Sequence, residues 1–128
     1  MTQARPSQFA RYAKSGDDGM NKTERRYWEE AKIRVASGEI RRVDKFPESL
    51  RMADGTHYRP DFREINASGE VEMIDVKGRK SNGKPHIEDT AWVKIKVCAV
   101  LHPYKFVVAW PTKGNKGWDR IIIQPEAQ

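Results

Sequence analysis

The chain has little sulfur chemistry and little grease. Its single cysteine, Cys98, excludes an internal disulfide framework and fits a reducing compartment. No apolar run is long enough to cross a bilayer and the N-terminus does not read as a secretory leader, so a soluble cytoplasmic protein with no membrane partner is the expectation. The three histidines, His57, His86 and His102, show no paired metal-ligand spacing. Internal repeats and low-complexity tracts are also missing. With 128 residues, of which 38% are apolar, the chain is sized for one compact domain with a small core.

What the sequence does have is positive charge. Net charge is +6 and the pI is near 9.5, which favours an anionic partner, because clustered Lys and Arg displace counterions from a phosphate backbone. The expected organisation is a flexible basic arm over 1–21, with Arg5, Arg11 and Lys14, a single domain over 22–124, and a short tail over 125–128. Residues 22–37 have a helical period, with Glu24, Trp28, Ala31 and Val35 on one stripe and Gly38 as the stop. Glu24 is odd on that stripe. Either it serves the helix dipole in the first turn, or it is a carboxylate aimed at the core that needs a cation.

Residues 40–52 read as an irregular or edge strand around Phe46-Pro47, and Ala53-Asp54-Gly55 as a hairpin turn. Strands over 56–65 and 70–77, joined by Asn66-Ala67-Ser68-Gly69, complete an antiparallel meander. A helix over 88–102 follows, capped by Asp89 or Thr90, apolar nearly all round and expected to be largely buried. The strand over 104–110 suits a position covered on both faces and a parallel pairing through a crossover. A last short strand spans 120–123.

The chemistry concentrates in the meander. Side chains two apart in a strand share a face, so Asp75 and Lys77 are neighbours, with Val76 turned to the core. The turn at 66–69 brings Asp61 beside them. Two carboxylates and an ammonium at a sheet edge are the groups expected of a hydrolytic metal site; the rival reading is a pair of solvated strand acids with Lys77 as a salt-bridge partner. The segment after it carries Arg79, Lys80 and Lys84 and no acid, and Lys113 and Lys116 form a second basic loop; with Arg59 and Lys94 these are the expected contacts to a phosphate backbone. Glu29 and Glu30 are alternatives to Glu24 but sit off or at the edge of the stripe. Cys98 reads as a small core hydrophobe, Trp110 as a core residue, and Trp118 as a candidate for stacking on bases.

Pro60-Asp61 followed at a distance by Asp75-Val76-Lys77 resembles the PD-(D/E)XK nuclease superfamily signature. Lys22-Thr23-Glu24, Ser37-Gly38-Glu39-Ile40, Tyr58-Arg59-Pro60-Asp61-Phe62 and Asp75-Val76-Lys77-Gly78 resemble small phage-encoded endonucleases related to Holliday-junction resolvases. The similarity covers residues 22–110, and at position 75 Asp stands where many relatives have Glu. The resemblance implies an α/β fold of restriction-endonuclease type, a mixed central sheet flanked by helices. It also implies Mg²⁺, with Mn²⁺ able to substitute, held by Asp61 and Asp75, with the Val76 carbonyl as a further donor and Glu24 completing the site. Lys77 would orient or help deprotonate a water and steady developing charge. The implied activity is endonucleolytic cleavage of DNA, on branched substrates such as Holliday junctions, by a homodimer in the host-cell cytoplasm during phage recombination or genome processing. No base-reading motif is present, so strict sequence specificity is not expected. A less selective nicking or single-strand endonuclease, a non-catalytic DNA-binding module and a small interaction protein are the rival readings.

Overall fold

A computed structural model describes residues 19–123. The expected arm, with Arg5, Arg11 and Lys14, and the tail lie outside the described residues, except that Met20 and Asn21 belong to the folded body. Met20 is fully buried and Asn21 caps the first helix.

That helix, α1 (Lys22–Ala36), starts on a reciprocal box: the Asn21 side chain accepts from the Glu24 N–H at 2.8 Å, and Glu24 Oε1 accepts from the Asn21 N–H at 3.0 Å, satisfying two donors that a helix start leaves open. Then follow β1 (Ile40–Lys45), β2 (Leu50–Arg51), β3 (His57–Tyr58), β4 (Phe62–Asn66), β5 (Val71–Val76), α2 (Asp89–Leu101), β6 (Lys105–Pro111) and β7 (Trp118–Ile123). Five strands form one mixed sheet in the order β1-β4-β5-β6-β7, while β2 and β3 make a separate hairpin. β1, β4 and β5 are antiparallel neighbours, β5 and β6 run parallel, and β7 returns antiparallel to β6. This is the mixed α/β sheet with flanking helices that the pattern called for.

Two cores sandwich the sheet. On one face Tyr27 and Ala31 of α1 pack on Phe62, Ile74, Val76, Val107 and Ala109. On the other, Ile95, Cys98 and Ala99 of α2, with Leu50 and Tyr58 of the hairpin, pack on Met73, Phe106, Val108 and Trp110. β6, with Phe106 to Pro111 all buried, is covered on both faces as expected.

Four expectations need correction. The strand over 56–65 is two strands, because Pro60 has no N–H for a ladder and the chain passes there from the hairpin to the main sheet. The buried stripe of α1 is Glu24, Tyr27 and Ala31, with Trp28 only half-buried against Phe62. α2 is capped by Glu88 without a side-chain hydrogen bond, and it is not largely buried. Val93 (58% exposed), Val100 and Leu101 face outward, because one layer of strands contacts only one stripe of a helix.

The α1 face also buries a charged pair that the strand pattern did not anticipate. Glu64, 1% exposed on β4, accepts from the Tyr27 hydroxyl and from both terminal nitrogens of Arg34, at 2.8 and 3.1 Å. It lies opposite Glu72 in register, and Glu72 is answered by Arg120 at 2.8 Å.

Candidate active site

The turn chemistry expected of 66–69 is what sets the site. The Asn66 side chain accepts from the N–H groups of Ser68 and Glu70, and Gly69 takes φ 90°, a conformation that favours glycine. The resulting β4–β5 register places the Asp61 N–H on the Ile74 carbonyl at 2.9 Å, while the Asp61 carbonyl accepts from Phe46 at 2.8 Å. Phe46 itself has φ 49°, a costly conformation for a non-glycine residue. Asp61 is thus gripped by its backbone from both sides.

Glu24, Asp61, Asp75 and Lys77 come together, as the sequence suggested. Asp61 Oδ2 accepts the Val76 N–H at 2.8 Å, and Asp61 interacts with both Glu24 and Asp75. Lys77 Nζ stands 3.2 Å from Asp75 Oδ1. Glu24 and Asp75 are 4% and 5% exposed. Burial, then the neighbouring Asp75 and Glu24 charges, hold the Asp61 carboxyl well above the usual carboxylate range. Burial also raises Glu24, against the lowering effect of the Asn21 backbone. For Lys77 burial acts downward, but the charges of Asp75 and Asp61 outweigh it and keep the ammonium above its ordinary value. Both readings of Glu24 hold in position: it closes the capping box and also faces the acid cluster. Glu29 pairs instead with Lys32, and Glu30 with Arg26 and the Trp118 indole, so neither joins the site.

Tyr58 is a member that sequence reasoning missed. Its hydroxyl donates to Asp75 Oδ2 at 2.7 Å, so Asp75 is held by a phenol on one oxygen and an ammonium on the other. The phenol's own pKa is pushed well up by burial and by the Asp75 charge. No spacing in the sequence ties Tyr58 to Asp75; the link exists because the β2–β3 hairpin folds over α2. Tyr58→Phe leaves a buried carboxylate oxygen without its donor and is expected to cost about 1–3 kcal/mol, measured by urea unfolding.

Three carboxylates and one ammonium, if all were ionised, would leave two negative charges without partners; burial first, with the neighbouring carboxylates adding to it, raises Glu24 and Asp61 against that state. As placed, the carboxyl groups engage one another, Tyr58, Lys77 and backbone N–H groups, and among the described residues no three His, Cys, Asp or Glu side chains converge with metal-ligand spacing. The donor chemistry nonetheless fits a hard divalent cation, which prefers oxygen ligands and few carboxylates and would replace protons in neutralising the cluster.

Around the cluster, the segment after β5 and the loop between β6 and β7 line one cleft of about 520 Å³ that includes Arg79, Lys80 and Lys113. Lys84 and Lys116 are exposed on the same two loops, and Arg59 is exposed beside Pro60-Asp61. Lys94 lies elsewhere: it is exposed on α2 and acts on Asp54 of the hairpin turn. Trp118 packs edge-on against Tyr27 and under Arg26, positions that occupy its ring. Trp110 is buried, with its indole N–H on the Gly83 carbonyl at 3.0 Å. His102 Nε2 bonds the Arg51 carbonyl, Cys98 is a buried core residue whose thiol is raised by burial, and no helix among the described residues is long and apolar enough to cross a membrane. Comparison of the chain with protein families, with curated proteins and with solved structures finds no match in any of the three.

Proposed function

We propose that the protein is a metal-dependent DNA endonuclease with a PD-(D/E)XK core. The observation that carries this reading is the cluster of buried Glu24 and Asp75 with half-buried Asp61, and Lys77 in contact with Asp75, set at the carboxyl end of β5 beside two basic loops. A protein that only binds phosphate gains nothing from three carboxylates at that point, since each repels the ligand. A phosphodiesterase needs them.

Asp61 and Asp75 would hold Mg²⁺ or Mn²⁺, with Glu24 behind them. The ion, when bound, supplies charge to the phosphoryl oxygens and acidifies a water. The chain's own residues supply the rest. Tyr58 and the Val76 N–H fix the orientation of Asp75 and Asp61, so the acids need not reorganise during the reaction. The Lys77 ammonium stands where it can orient the attacking water and steady the negative charge that grows on the phosphate. Asn21 anchors one oxygen of Glu24.

Branched DNA, including Holliday junctions, is the substrate class we favour, with a homodimer cutting two strands in the host cytoplasm; both follow from the resemblance at Pro60-Asp61 and Asp75-Val76-Lys77. The test is incubation of the protein with four-way junction, nicked, flapped, linear duplex and single-stranded DNA, in Mg²⁺, Mn²⁺ or EDTA, beside a variant carrying Asp75→Ala and Lys77→Ala. The expected result is paired cuts on the junction, lost in EDTA and in the variant, from a species that sediments as a dimer. Cleavage of single strands or nicked duplex alone would move the assignment to a less selective nuclease. No cleavage in either metal, with wild type and variant binding DNA equally, would replace the enzyme with a binding module.

A further inference from the structure

The acid cluster uses the end of β5, but the larger concavity next to it has no role in that chemistry. β5 and β6 are parallel neighbours, with Val76 level with Ala109, so the segments that leave their carboxyl ends emerge side by side. Such ends are where sheets of this kind bind ligands. The segment after β5 folds on itself: Lys80 donates to the Lys84 carbonyl at 2.8 Å and Gly83 to the Lys80 carbonyl at 2.9 Å, while Lys84 donates to Asn82 Oδ1 at 3.0 Å. The loop after β6 does the same through Thr112, whose N–H reaches the Gly117 carbonyl and whose hydroxyl accepts from Lys116. The two are then tied together. Trp110 donates to Gly83, and Arg79 crosses to Asp119 at 3.0 Å. Gly83 is favoured where it stands because its φ of 87° is one that L side chains rarely adopt, and a Cβ there would also press the Arg79 guanidinium at 3.1 Å.

The cleft between them, about 520 Å³, takes its charge from Arg79, Lys80 and Lys113 and its neutral donors from Ser81, Asn82 and Thr112. Among the described residues no carboxylate and no apolar or aromatic side chain lines it. A pocket for an apolar molecule would be greasy, and a base-binding one would offer a ring to stack on. This one offers cations beside neutral hydroxyl and amide groups that can donate, which is the chemistry that meets phosphate and sugar. It follows the site along the chain, since Lys77 of the cluster and Arg79 of the cleft are two residues apart on one segment.

We infer that this cleft is a preformed seat for the DNA phosphodiester backbone flanking the cleaved bond, binding without regard to sequence, and that Asp119 competes with the phosphate for Arg79. The inference rests on the nuclease reading for the identity of its ligand, though not for the binding itself. Because the loops are already ordered, little entropy is lost when the backbone enters. The Arg79–Asp119 pair is partly exposed, with side chains 28% and 47% accessible, and pairs of that kind are weak enough for a phosphate to displace.

The experiment is fluorescence anisotropy of a labelled DNA duplex in EDTA, titrated over a range of salt, with several unrelated sequences. Lys80→Glu with Lys113→Glu is expected to weaken binding about tenfold or more and to lower the log–log salt slope by about 2, close to 0.9 for each lost phosphate contact, equally for every sequence. Asp119→Asn is expected to tighten binding a few-fold. Lys94→Glu, which lies off the cleft, is the control for a general charge effect and is expected to change binding much less; circular dichroism shows that each variant is folded. Equal losses in the cleft and Lys94 variants, or an unchanged salt slope, overturn the cleft, and weaker binding by Asp119→Asn overturns the competition. Since EDTA prevents metal-dependent cutting, binding that depends on the cleft in a protein that cuts nothing in Mg²⁺ keeps this inference and removes the nuclease. Cutting that survives the cleft variants with unchanged KM does the reverse.

Discussion

Asp61→Asn is expected to make the protein more stable while removing most of the proposed nuclease activity. Asp61 is held well above the usual carboxylate range by burial and by the charges of Asp75 and Glu24. Asparagine keeps an acceptor for the Val76 N–H but carries no charge, so the repulsion disappears and the hydrogen bond remains. The expected gain is about 0.5–2 kcal/mol, the size commonly seen when one functional strain is relieved, and at about 4–8 °C per kcal/mol for a domain of this size a thermal melt resolves it. The pH dependence gives the sign. A raised folded-state value means that the folded protein binds more protons than the unfolded one between the ordinary aspartate value, about 3.9, and the raised value, so wild-type stability falls as pH rises through that window. The advantage of the Asn variant is therefore absent in acid, where Asp61 is protonated in both states, and grows toward neutral pH. Cleavage is expected to drop about 10²–10³-fold, since the cluster would lose a charged oxygen donor. A variant that melts below wild type at neutral pH would show that Asp61 is not the crowded carboxylate described here.

Glu64→Ala is expected to have the opposite effect on stability, and a larger one. It leaves the Arg34 guanidinium, 20% exposed, and the buried Tyr27 hydroxyl facing a space without an acceptor. Breaking a buried pair by removing one partner costs about 3–5 kcal/mol, a large share of the roughly 5–15 kcal/mol that holds a domain together. The Tyr27 hydroxyl supports this reading, being pushed far up by burial and by the Glu64 charge, with Arg34 acting the other way. A triple variant, Glu64→Met, Arg34→Met and Tyr27→Phe, is expected to recover most of the loss, because replacing every member by apolar groups removes the desolvation cost together with the attraction. Urea unfolding of the two variants separates these terms. A Glu64→Ala protein within about 1 kcal/mol of wild type would mean that water already solvates the pair.

The site was legible from the sequence wherever its geometry is local. Asp75 and Lys77 share a face because a strand repeats every two residues. Asp61 reaches them because Asn66 and Gly69 make a turn of one kind, and Glu24 lies in the first turn of a periodic helix, although its capping partner Asn21 belongs by sequence to the expected arm. The strand over 56–65 failed at Pro60 because the period continues through the proline while the ladder cannot. The α2 pattern failed for a different reason: an apolar residue is not thereby buried, and Val93, Val100 and Leu101 are exposed because none of the described residues covers that side.

What the sequence determined alone is the succession of helix, strands, helix and strands without the breaks that make four strands, β1 to β4, of two, the turns, the acid–acid–lysine set on the β4–β5 hairpin and the excess of positive charge, all properties carried by neighbours along the chain. The tertiary structure decided the rest. It brought Tyr58 to Asp75 across a separate hairpin, sealed Glu64 between α1 and the sheet, and joined two basic loops into one cleft through Trp110 and Arg79. These contacts span 17 to 40 residues and depend on which strands pair and which helix covers which face, and a periodicity of two or 3.6 carries no information about that choice.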